Sequence, residues 1–207
     1  VFKYEGYYFG LLQMYYSESK ATIEIQLAFS RDGIRWDRLP TRDLFLGLGL
    51  QHGQGADFDS GMIIVNRPVL VGDALWFYYT GYKATHTDFS NTYGVGLAVS
   101  KLDRLIGRST PQGEGGLLLT RPLAWEGDAL EVTVSSADGA IQVEVLSEGG
   151  EVVEGYDRAS SVVFSGDSLR QRMQWKEGRT MGALGGRRVR LKFYLSNATL
   201  YSFAMKN

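Results

Sequence analysis

The stretch AFSRDGIRWDRL, residues 28–39, decides how we divide the chain into strands. An Asp-Gly pair between two strand-like runs favours a tight hairpin turn, because glycine tolerates the positive φ that such a turn needs. The pattern Ser30-x-Asp32-Gly33-x-x-Trp36 adds short polar side chains that can bond turn amides and an indole that can pack between neighbouring sheets. We predict that these four residues are structural and that Asp32 has no direct catalytic role.

The composition indicates an all-β globular chain. Hydrophobic residues make up 44% of the 207 residues and charged residues 22%, so a packed core is expected. The 26 glycines and 13% of aromatic residues favour strands joined by tight turns. Residues 188–195 alternate polar and apolar side chains, as a half-buried strand does, and we find no helical stripe. Residues 130–134 and 141–145 repeat the alternation on either side of Asp138-Gly139, which predicts a hairpin turn there.

The same composition argues against several classes of partner. A formal net charge of -1 without a long basic run argues against nucleic-acid binding. No apolar stretch approaches the length that crosses a membrane, so we expect no membrane partner. The absence of cysteine excludes disulfides, thiol catalysis and thiolate metal sites, and it fits bacterial cytoplasmic and secreted proteins alike. We expect no cofactor and no metal.

Two segments of related sequence follow one another along the chain. Residues 27–31, LAFSR, recur 70 positions later as residues 97–101, LAVSK, and an aromatic strand after a polar turn precedes each copy. Several short antiparallel strands repeated at such a period are typical of β-propeller blades. The predicted strands of the first repeat are 7–15, 22–30 and 36–39, and those of the second are 59–65, 74–81, 93–100 and one near Leu105.

The repeats and the turn-rich segment after them predict the domain organisation. Residues 1–108 would form a partial β-propeller of about two four-stranded antiparallel blades. The first blade would lack its inner strand, or keep only Val1-Phe2 of it, as if the chain began inside a blade of a longer protein. Residues 109–116, STPQGEGG, are expected to be a linker because turn formers dominate them. Residues 117–207 would form six to eight strands of a compact, jelly-roll-like β-sandwich.

Three segments resemble known families. SRDGIRW, from Ser30, resembles the Asp box of sialidase-type propellers. The segment ADFDSGMIIVNRPVLVGDALWFYYTGY with GVGLAVSKLDRL, from Ala56 to Leu105, resembles the later blades of five-bladed propellers in glycoside hydrolase families 32, 43 and 68. These families include invertases, levansucrases and arabinanases. The tail WKEGRTMGALGGRRVRLKFYLSNATLYSFAM, from Trp175, is similar to the C-terminal β-sandwich attached to such propellers in many bacterial proteins.

The resemblance implies a two-carboxylate hydrolysis. One Asp would act as nucleophile or base, a Glu as acid, and a further Asp would stabilise the oxocarbenium-like transition state. In the resembling enzymes these acids come from inner strands of the early blades. If the present blades are the last two, the principal acids lie upstream of this chain.

Antiparallel strand order predicts which loops share one end of a blade. The Asp box lies between a third and a fourth strand, whereas the segment before Asp59 and the loop from Tyr82 to Thr92 share the opposite end. In the resembling enzymes that second end surrounds the substrate funnel. Asp57 and Asp59 would point to the same side of a strand. We weigh Asp59 as a catalytic or sugar-binding residue of the pocket against both acids as turn caps or partners of amides between blades.

The other candidates at this end combine aromatic faces with hydrogen-bonding groups, as sugar sites do. A solvated polar loop would contain much the same residues. The predicted substrate-binding residues are His52, Asp57, Tyr82, Lys83, His86 and Asp88, with Tyr93 beside them. His86 with Asp88 could also be a metal pair, which we reject because two ligands without further spacing are a weak signal.

Two surfaces of the sandwich offer alternatives. A lectin-like platform could use Trp125, Tyr156, Trp175, Tyr194 and Tyr201, although single aromatics on strands more often pack. A basic cluster comprises Arg187, Arg188, Arg190 and Lys192. We interpret it mainly as the solvated face of one strand and only secondarily as an anionic-sugar site.

Three functional hypotheses follow. The leading one is a carbohydrate-active protein, a portion of a glycoside-hydrolase-like propeller that binds a glycan and hydrolyses it in the full-length form. A second is a non-catalytic carbohydrate-binding module that uses surface aromatics of the sandwich. A third is a structural fragment that forms a homo-oligomer, because two blades cannot close a ring and their exposed edges would pair with another copy.

Overall fold

The structure, a computed structural model, describes residues 1–18, 21–50, 57–88 and 92–207. These residues confirm the predicted all-β class, with two short 3-10 turns, Lys176–Gly178 and Met181–Leu184, beside the strands. The chain forms two compact units, Val1–Ser100 and Lys101–Asn207.

The first unit contains one extended sheet. Its strands are β1 (Phe2–Tyr4), β2 (Tyr7–Tyr16), β3 (Thr22–Ser30), β4 (Asp37–Arg38), β5 (Leu44–Leu46), β6 (Met62–Val65), β7 (Val69–Val71), β8 (Ala74–Tyr82) and β9 (Tyr93–Lys101). β1, β2 and β3 form an antiparallel meander. β4 and β5 pair in turn with the far edge of β3, and β6 joins that edge through a single parallel bridge, Ile23 to Met62.

A second antiparallel group begins at β6. β6 and β7 both pair with β8, and the Asn66 amide between them donates to Tyr78 O at 3.1 Å, so the two strands continue one another along one edge. β9 pairs with β8 as well. Apolar side chains from both groups fill the interior of the unit, including Ile25, Ile63 and Phe77, each at most 1% exposed.

The fourth strand predicted near Leu105 is not among the strands of the described residues. Residues 102–107 form turns and bends, and the next strand, β10 (Arg108–Ser109), pairs with the sheet of the second unit. The reason is electrostatic, because Arg104 donates to the Asp167 carboxylate and to Val134 O and so ties this segment to the second unit. The predicted linker 109–116 contributes to strands at both of its ends.

The second unit contains one seven-stranded sheet built around a single long strand. Its remaining strands are β11 (Gly115–Leu119), β12 (Leu123–Ala124), β13 (Ala129–Ser147), β14 (Phe164–Arg172), β15 (Arg188–Ser196) and β16 (Thr199–Lys206). β16 pairs with the first half of β13 and β15 with the second half, both antiparallel, so β15 and β16 follow one another along β13. β14 pairs with the first half of β13, whereas β11 and β12 pair with β15.

The hairpin predicted at Asp138-Gly139 is wrong. β13 runs through these residues, and its inward side chains change from Leu130, Val132 and Val134 to Ile141, Val143 and Val145 across an irregularity in the register. An inserted residue reverses which positions of a strand face the core. In the sequence, one strand with such a change therefore shows the same pattern as two strands joined by a turn. Opposite it, the Asn197 side chain donates to Asp138 O at 3.0 Å.

The core of the second unit is formed by side chains of its strands together with the 3-10 turn Met181–Leu184. Its buried members include Trp125, Leu130, Val132, Val134, Ile141, Val143, Val145, Tyr156, Met173, Trp175, Met181, Leu184, Val189, Leu191, Phe193 and Leu195. The T-shaped contact of Tyr156 with Trp175, at 5.2 Å between ring centroids, lies inside this cluster.

Candidate functional site

The Asp box forms a closed hydrogen-bonded turn between β3 and β4. The Asp32 carboxylate accepts from the backbone amides of Ile34 and Arg35, both at 2.8 Å, and from Ser30 Oγ at 3.1 Å. The Gly33 amide donates to Ser30 Oγ at 2.9 Å, and Gly33 has a φ of 75°. The amides of Arg35 and then Ile34 hold the pKa of Asp32 below its usual value. These contacts account for Asp32 as part of the turn.

Trp36 covers the face of its own sheet. Its Nε1 donates to Gly33 O at 3.0 Å, and its ring would stand 3.3 Å from a Cβ placed on Gly10 of β2. The side chain remains 38% exposed. The indole therefore lies on β2, where Gly10 leaves room for it, and we correct the expectation that it packs between two sheets.

Asp59 is held in a buried contact with a tyrosine. The Tyr79 hydroxyl donates to Asp59 Oδ2 at 2.7 Å, and Asp59 is only 8% exposed. Burial, followed by the hydrogen bond to Asp59, raises the pKa of Tyr79 to about 12. The pair joins the turn before β6 to the middle of β8.

Asp57 and Asp59 precede the strand on which we placed them. β6 begins at Met62, and residues 57–60 form a turn, so alternation along a strand does not align the two carboxylates. They converge by another route, because Gly49 packs against both side chains and its amide donates to Asp59 O at 3.3 Å. Asp57 Oδ2 accepts from the Leu50 amide at 2.9 Å, and Asp57 itself is exposed.

His86 lies where two loops of the first unit meet. Its amide donates to Ala21 O at 2.9 Å, at the end of the β2–β3 turn. Its ring lies 5.1 Å from the ring of Tyr15, centroid to centroid. His86 is exposed and Tyr15 is 46% exposed, so both rings are accessible at this end. The neighbouring candidates Lys83 and Asp88 are exposed on the same segment.

The segment before β6 lies beside the same loop. Ser60 Oγ donates to Lys83 O at 3.1 Å, and the Gly61 amide donates to Tyr82 O at 2.8 Å. The Asp88 amide closes a turn onto Thr85 O at 3.1 Å. The Asp box is instead at the other end of the meander, after β3. His52 lies outside the described residues.

Tyr82 and Tyr93 face away from Asp59. Along β8, Tyr79 and Gly81 face Asp59, so alternation puts Tyr82 on the opposite side. Gly94 of β9 packs under the Phe58 ring, which likewise turns Tyr93 to that opposite side, where its ring lies 6.0 Å from that of Tyr82. The predicted site residues thus divide between two faces of one sheet.

The face that carries Tyr82 and Tyr93 is apolar and exposed. We call it the β8–β9 apolar face. Pairing of β6 and β7 with β8 places their residues 64, 69 and 71 on the same side. Its exposed side chains, between 38% and 75% accessible, are Ile64, Val69, Val71, Tyr78, Tyr93, Val95, Leu97 and Val99.

Sequence reasoning missed three aromatic residues near the candidates. Tyr79 bonds Asp59, Phe58 stacks on Tyr79 at 6.1 Å between ring centroids, and Tyr15 contacts His86. The available signal was alternation within the run from Trp76 to Tyr79, which sends successive rings to opposite faces. No local pattern predicts the contact of Tyr15, because its partner is 71 residues away in the sequence.

The predicted lectin-like platform of the sandwich is wrong as a set. Trp125, Tyr156 and Trp175 are core residues, between 0% and 4% exposed. Tyr201 lies under the guanidinium of Arg104, which is 5.0 Å from its ring centroid. Tyr194 alone borders a groove, described below.

The basic cluster is partly neutralised. Arg188 Nε pairs with Glu148 Oε1 at 2.8 Å, Arg190 Nε donates to Glu148 O at 3.1 Å, and Lys192 pairs with Glu144 at 3.4 Å. Arg187 is exposed. These pairs fit the solvated face of one strand.

The described part of the chain contains neither a metal-binding cluster nor a helix able to cross a membrane. No group of three or more His, Asp or Glu side chains in that part of the chain could hold a metal ion. Of the helices it contains, none has the length and apolar character needed to cross a membrane.

Comparison with known proteins yields one weak likeness. No family model matches the chain, and no curated protein matches it. A solved structure of a glycoside hydrolase family 43 arabinoxylan arabinofuranohydrolase from Bacillus subtilis, in complex with cellotetraose, aligns at 11% identity with a TM-score of 0.30. The alignment covers 100% of this chain and 53% of that one, so the chain spans about half the length of the neighbour. A TM-score of 0.30 does not assign a shared fold.

Proposed function

We propose that this chain binds a carbohydrate at the end of the first unit where the β2–β3 turn meets residues 82–88. The observation that supports this most is the Tyr15–His86 ring pair, which brings an accessible ring of β2 together with one from the loop after β8. An exposed aromatic face suits the C–H surface of a sugar ring, while imidazole, ammonium and carboxylate groups suit its hydroxyls. Lys83 and Asp88 supply such groups on the segment that carries His86, and Asp57 supplies one in the turn before β6.

Calorimetric titration of the chain with a panel of neutral oligosaccharides tests this proposal. We expect binding of at least one sugar, and we expect Tyr15→Ala to weaken it about fivefold, since an aromatic contact contributes about 1 kcal/mol. Tyr78→Ala is the matched control, because Tyr78 is 44% exposed but lies on the β8–β9 apolar face. Loss of affinity in both variants alike, or no binding at millimolar sugar, contradicts the proposal.

The hydrolytic part of the proposal concerns a longer parent protein. The resemblance puts the principal acids upstream, so we expect this chain alone to bind without hydrolysing. In the parent protein, Asp59 would line the substrate funnel and would be held in place by its contact with Tyr79. Asp59→Asn in the full-length enzyme should then lower turnover strongly, and unchanged turnover would remove Asp59 from the site.

The architecture behind this function is a pair of propeller blades followed by a β-sandwich. Two antiparallel groups of strands support the two blades. One group comprises β1, β2, β3 and β4, and the other comprises β6, β7, β8 and β9. The single parallel bridge between the groups fits separate modules. A crystal structure of the full-length parent should show these groups radiating from one axis. A closed barrel formed by residues 1–100 would contradict the proposal.

A second candidate function is self-association, supported by the β8–β9 apolar face. Monomers seldom expose apolar patches beyond a few hundred Å². Three strands about 4.8 Å apart and nine residues long at about 3.3 Å each give a footprint of roughly 400 Å². A second copy on the same face would bury about 800 Å² in total, which is below the standard size of stable interfaces, so it would bind weakly.

Light scattering across a concentration series tests self-association. We expect a monomer–dimer equilibrium that Val95→Lys abolishes, because a desolvated ammonium has no partner on that face. Val163→Lys is the control, since Val163 is 55% exposed in the second unit. A monomer at every concentration contradicts this candidate.

A further inference from the structure

A groove of about 360 Å³ lies on the second unit. Its lining includes Leu117 and Ala140, with Arg158 and Tyr194 as polar and aromatic members. Leu117 is 66% exposed, which is costly for a leucine unless something covers it. The groove thus combines exposed carbon surface with one guanidinium.

Arg158 is held in place by two contacts. Its guanidinium lies over the ring of Tyr194, 4.3 Å from the centroid. Its Nε donates to Gln142 Oε1 at 3.2 Å, and Gln142 Nε2 donates back to Arg158 O at 3.1 Å. A guanidinium fixed at Nε and by stacking presents its two terminal amino groups as a rigid fork. Within the described residues those amino groups have no hydrogen-bond partner, and Arg158 is exposed.

The nearby carboxylate does not neutralise this fork. Glu144 is 7% exposed and accepts from the Arg158 backbone amide at 3.1 Å, the Tyr194 hydroxyl at 3.0 Å and Lys192 Nζ at 3.4 Å. The Lys192 ammonium offsets the charge of Glu144. The positive charge of the Arg158 side chain is therefore left for a ligand.

We infer that this groove binds a small organic carboxylate. The carboxylate would accept two parallel hydrogen bonds from the terminal amino groups of Arg158, and the carbon body of the ligand would cover Leu117 and Ala140. This site is separate from the carbohydrate site of the first unit and does not depend on it. The same carboxylate chemistry occurs in sugar acids and in aromatic acids.

Amide NMR titrations of the whole chain with benzoate and with glucuronate test the inference and distinguish the two sources. We expect saturable shifts of the Gly116 and Leu117 amides with at least one acid, and at least tenfold weaker shifts with the neutral analogues benzamide and glucose. Tighter binding of benzoate would assign an aromatic acid, and tighter binding of glucuronate a sugar acid. Equal effects of acids and neutral analogues would overturn the inference.

Three variants complete the test. Arg158→Gln should weaken binding of the acid at least tenfold, and Arg158→Lys should also weaken it because an ammonium has no planar fork. Arg188→Gln is the control, since Arg188 is an exposed arginine already paired with Glu148. If Arg158→Gln fails to fold, Arg158→Lys decides the question. Unchanged affinity in the Arg158 variants, or an equal loss in Arg188→Gln, would refute the site.

Discussion

At the scale of single residues, Asp32 shows how a carboxylate can be conspicuous in sequence and still belong to a turn. One of its oxygens accepts from two backbone amides and a hydroxyl. Acceptors of this kind stabilise a turn because they replace the water that the backbone amides lose on folding. The same carboxylate would be a poor nucleophile, since these donors stabilise its charge.

Replacing Asp32 should destabilise the first unit. Asp32→Ala removes the acceptor of the Ile34 and Arg35 amides, so we expect a lower melting temperature. Asp37→Ala is the control, because Asp37 is exposed on β4 and no hydrogen bond to its side chain is present in the described part of the chain. Equal melting temperatures for the two variants would contradict the structural role of Asp32.

The Tyr79–Asp59 contact predicts a specific loss of stability at high pH. The pKa of Tyr79 is raised to about 12, whereas an unfolded tyrosine ionises near 10. The folded state thus holds this proton more tightly, so its contribution is complete below pH 10 and is lost as the pH rises towards 12. Tyrosine ring-carbon NMR should show one resonance that titrates near pH 12 and is missing in Tyr79→Phe.

The unfolding free energy of Tyr79→Phe and a Tyr156 variant provide further checks on the Tyr79–Asp59 contact. Tyr79→Phe should also cost about 1–3 kcal/mol of unfolding free energy at neutral pH, because it leaves a buried carboxylate without its donor. Loss of the high-pH resonance only in a Tyr156 variant would assign it elsewhere, since burial also raises the pKa of Tyr156. That result would contradict the Tyr79–Asp59 pair.

At the scale of elements, alternation located most strands, and it failed where one strand changes phase. The predicted strand 22–30 coincides with β3, and 74–81 lies within β8. β13 was divided in two because Asp138-Gly139 gives the same local signal in a hairpin as in an irregular strand. Only the partner strands, β15 and β16, distinguish these cases, and their pairing is not encoded near Gly139.

Gly139 tests the continuous β13 directly. A Cβ at this position would collide with the backbone oxygens of Ser196 and Asn197, so Gly139→Ala should lower the unfolding free energy by about 1–3 kcal/mol. Gly149→Ala is the matched control, because the nearest atom to its Cβ would be Ser147 Oγ at 3.7 Å. Urea unfolding measures both. A neutral Gly139→Ala would favour an open turn at Asp138-Gly139.

At the scale of the whole molecule, sequence reasoning reached the all-β class. It could not tell a core aromatic from a surface one, as Trp125 and Trp175 show, because both kinds occur on alternating strands. Nor could it show that Tyr82 and Asp59 face opposite sides, because that follows from the Tyr79–Asp59 hydrogen bond and from alternation along β8. Long-range pairs such as Tyr15 with His86 come only from the packed sheet.

We propose that the exposed rings where the β2–β3 turn meets residues 82–88 recognise sugar. Saturation-transfer NMR on the whole chain with the tightest-binding oligosaccharide tests it most directly, with the aromatic resonances of Tyr15 and His86 assigned. We predict transfer to the sugar ring protons together with shifts of these two side chains, and at a fixed sugar concentration the transfer should be weaker in Tyr15→Ala. Transfer of unchanged strength in Tyr15→Ala, or sugar-induced shifts confined to residues of the second unit, would contradict the proposal.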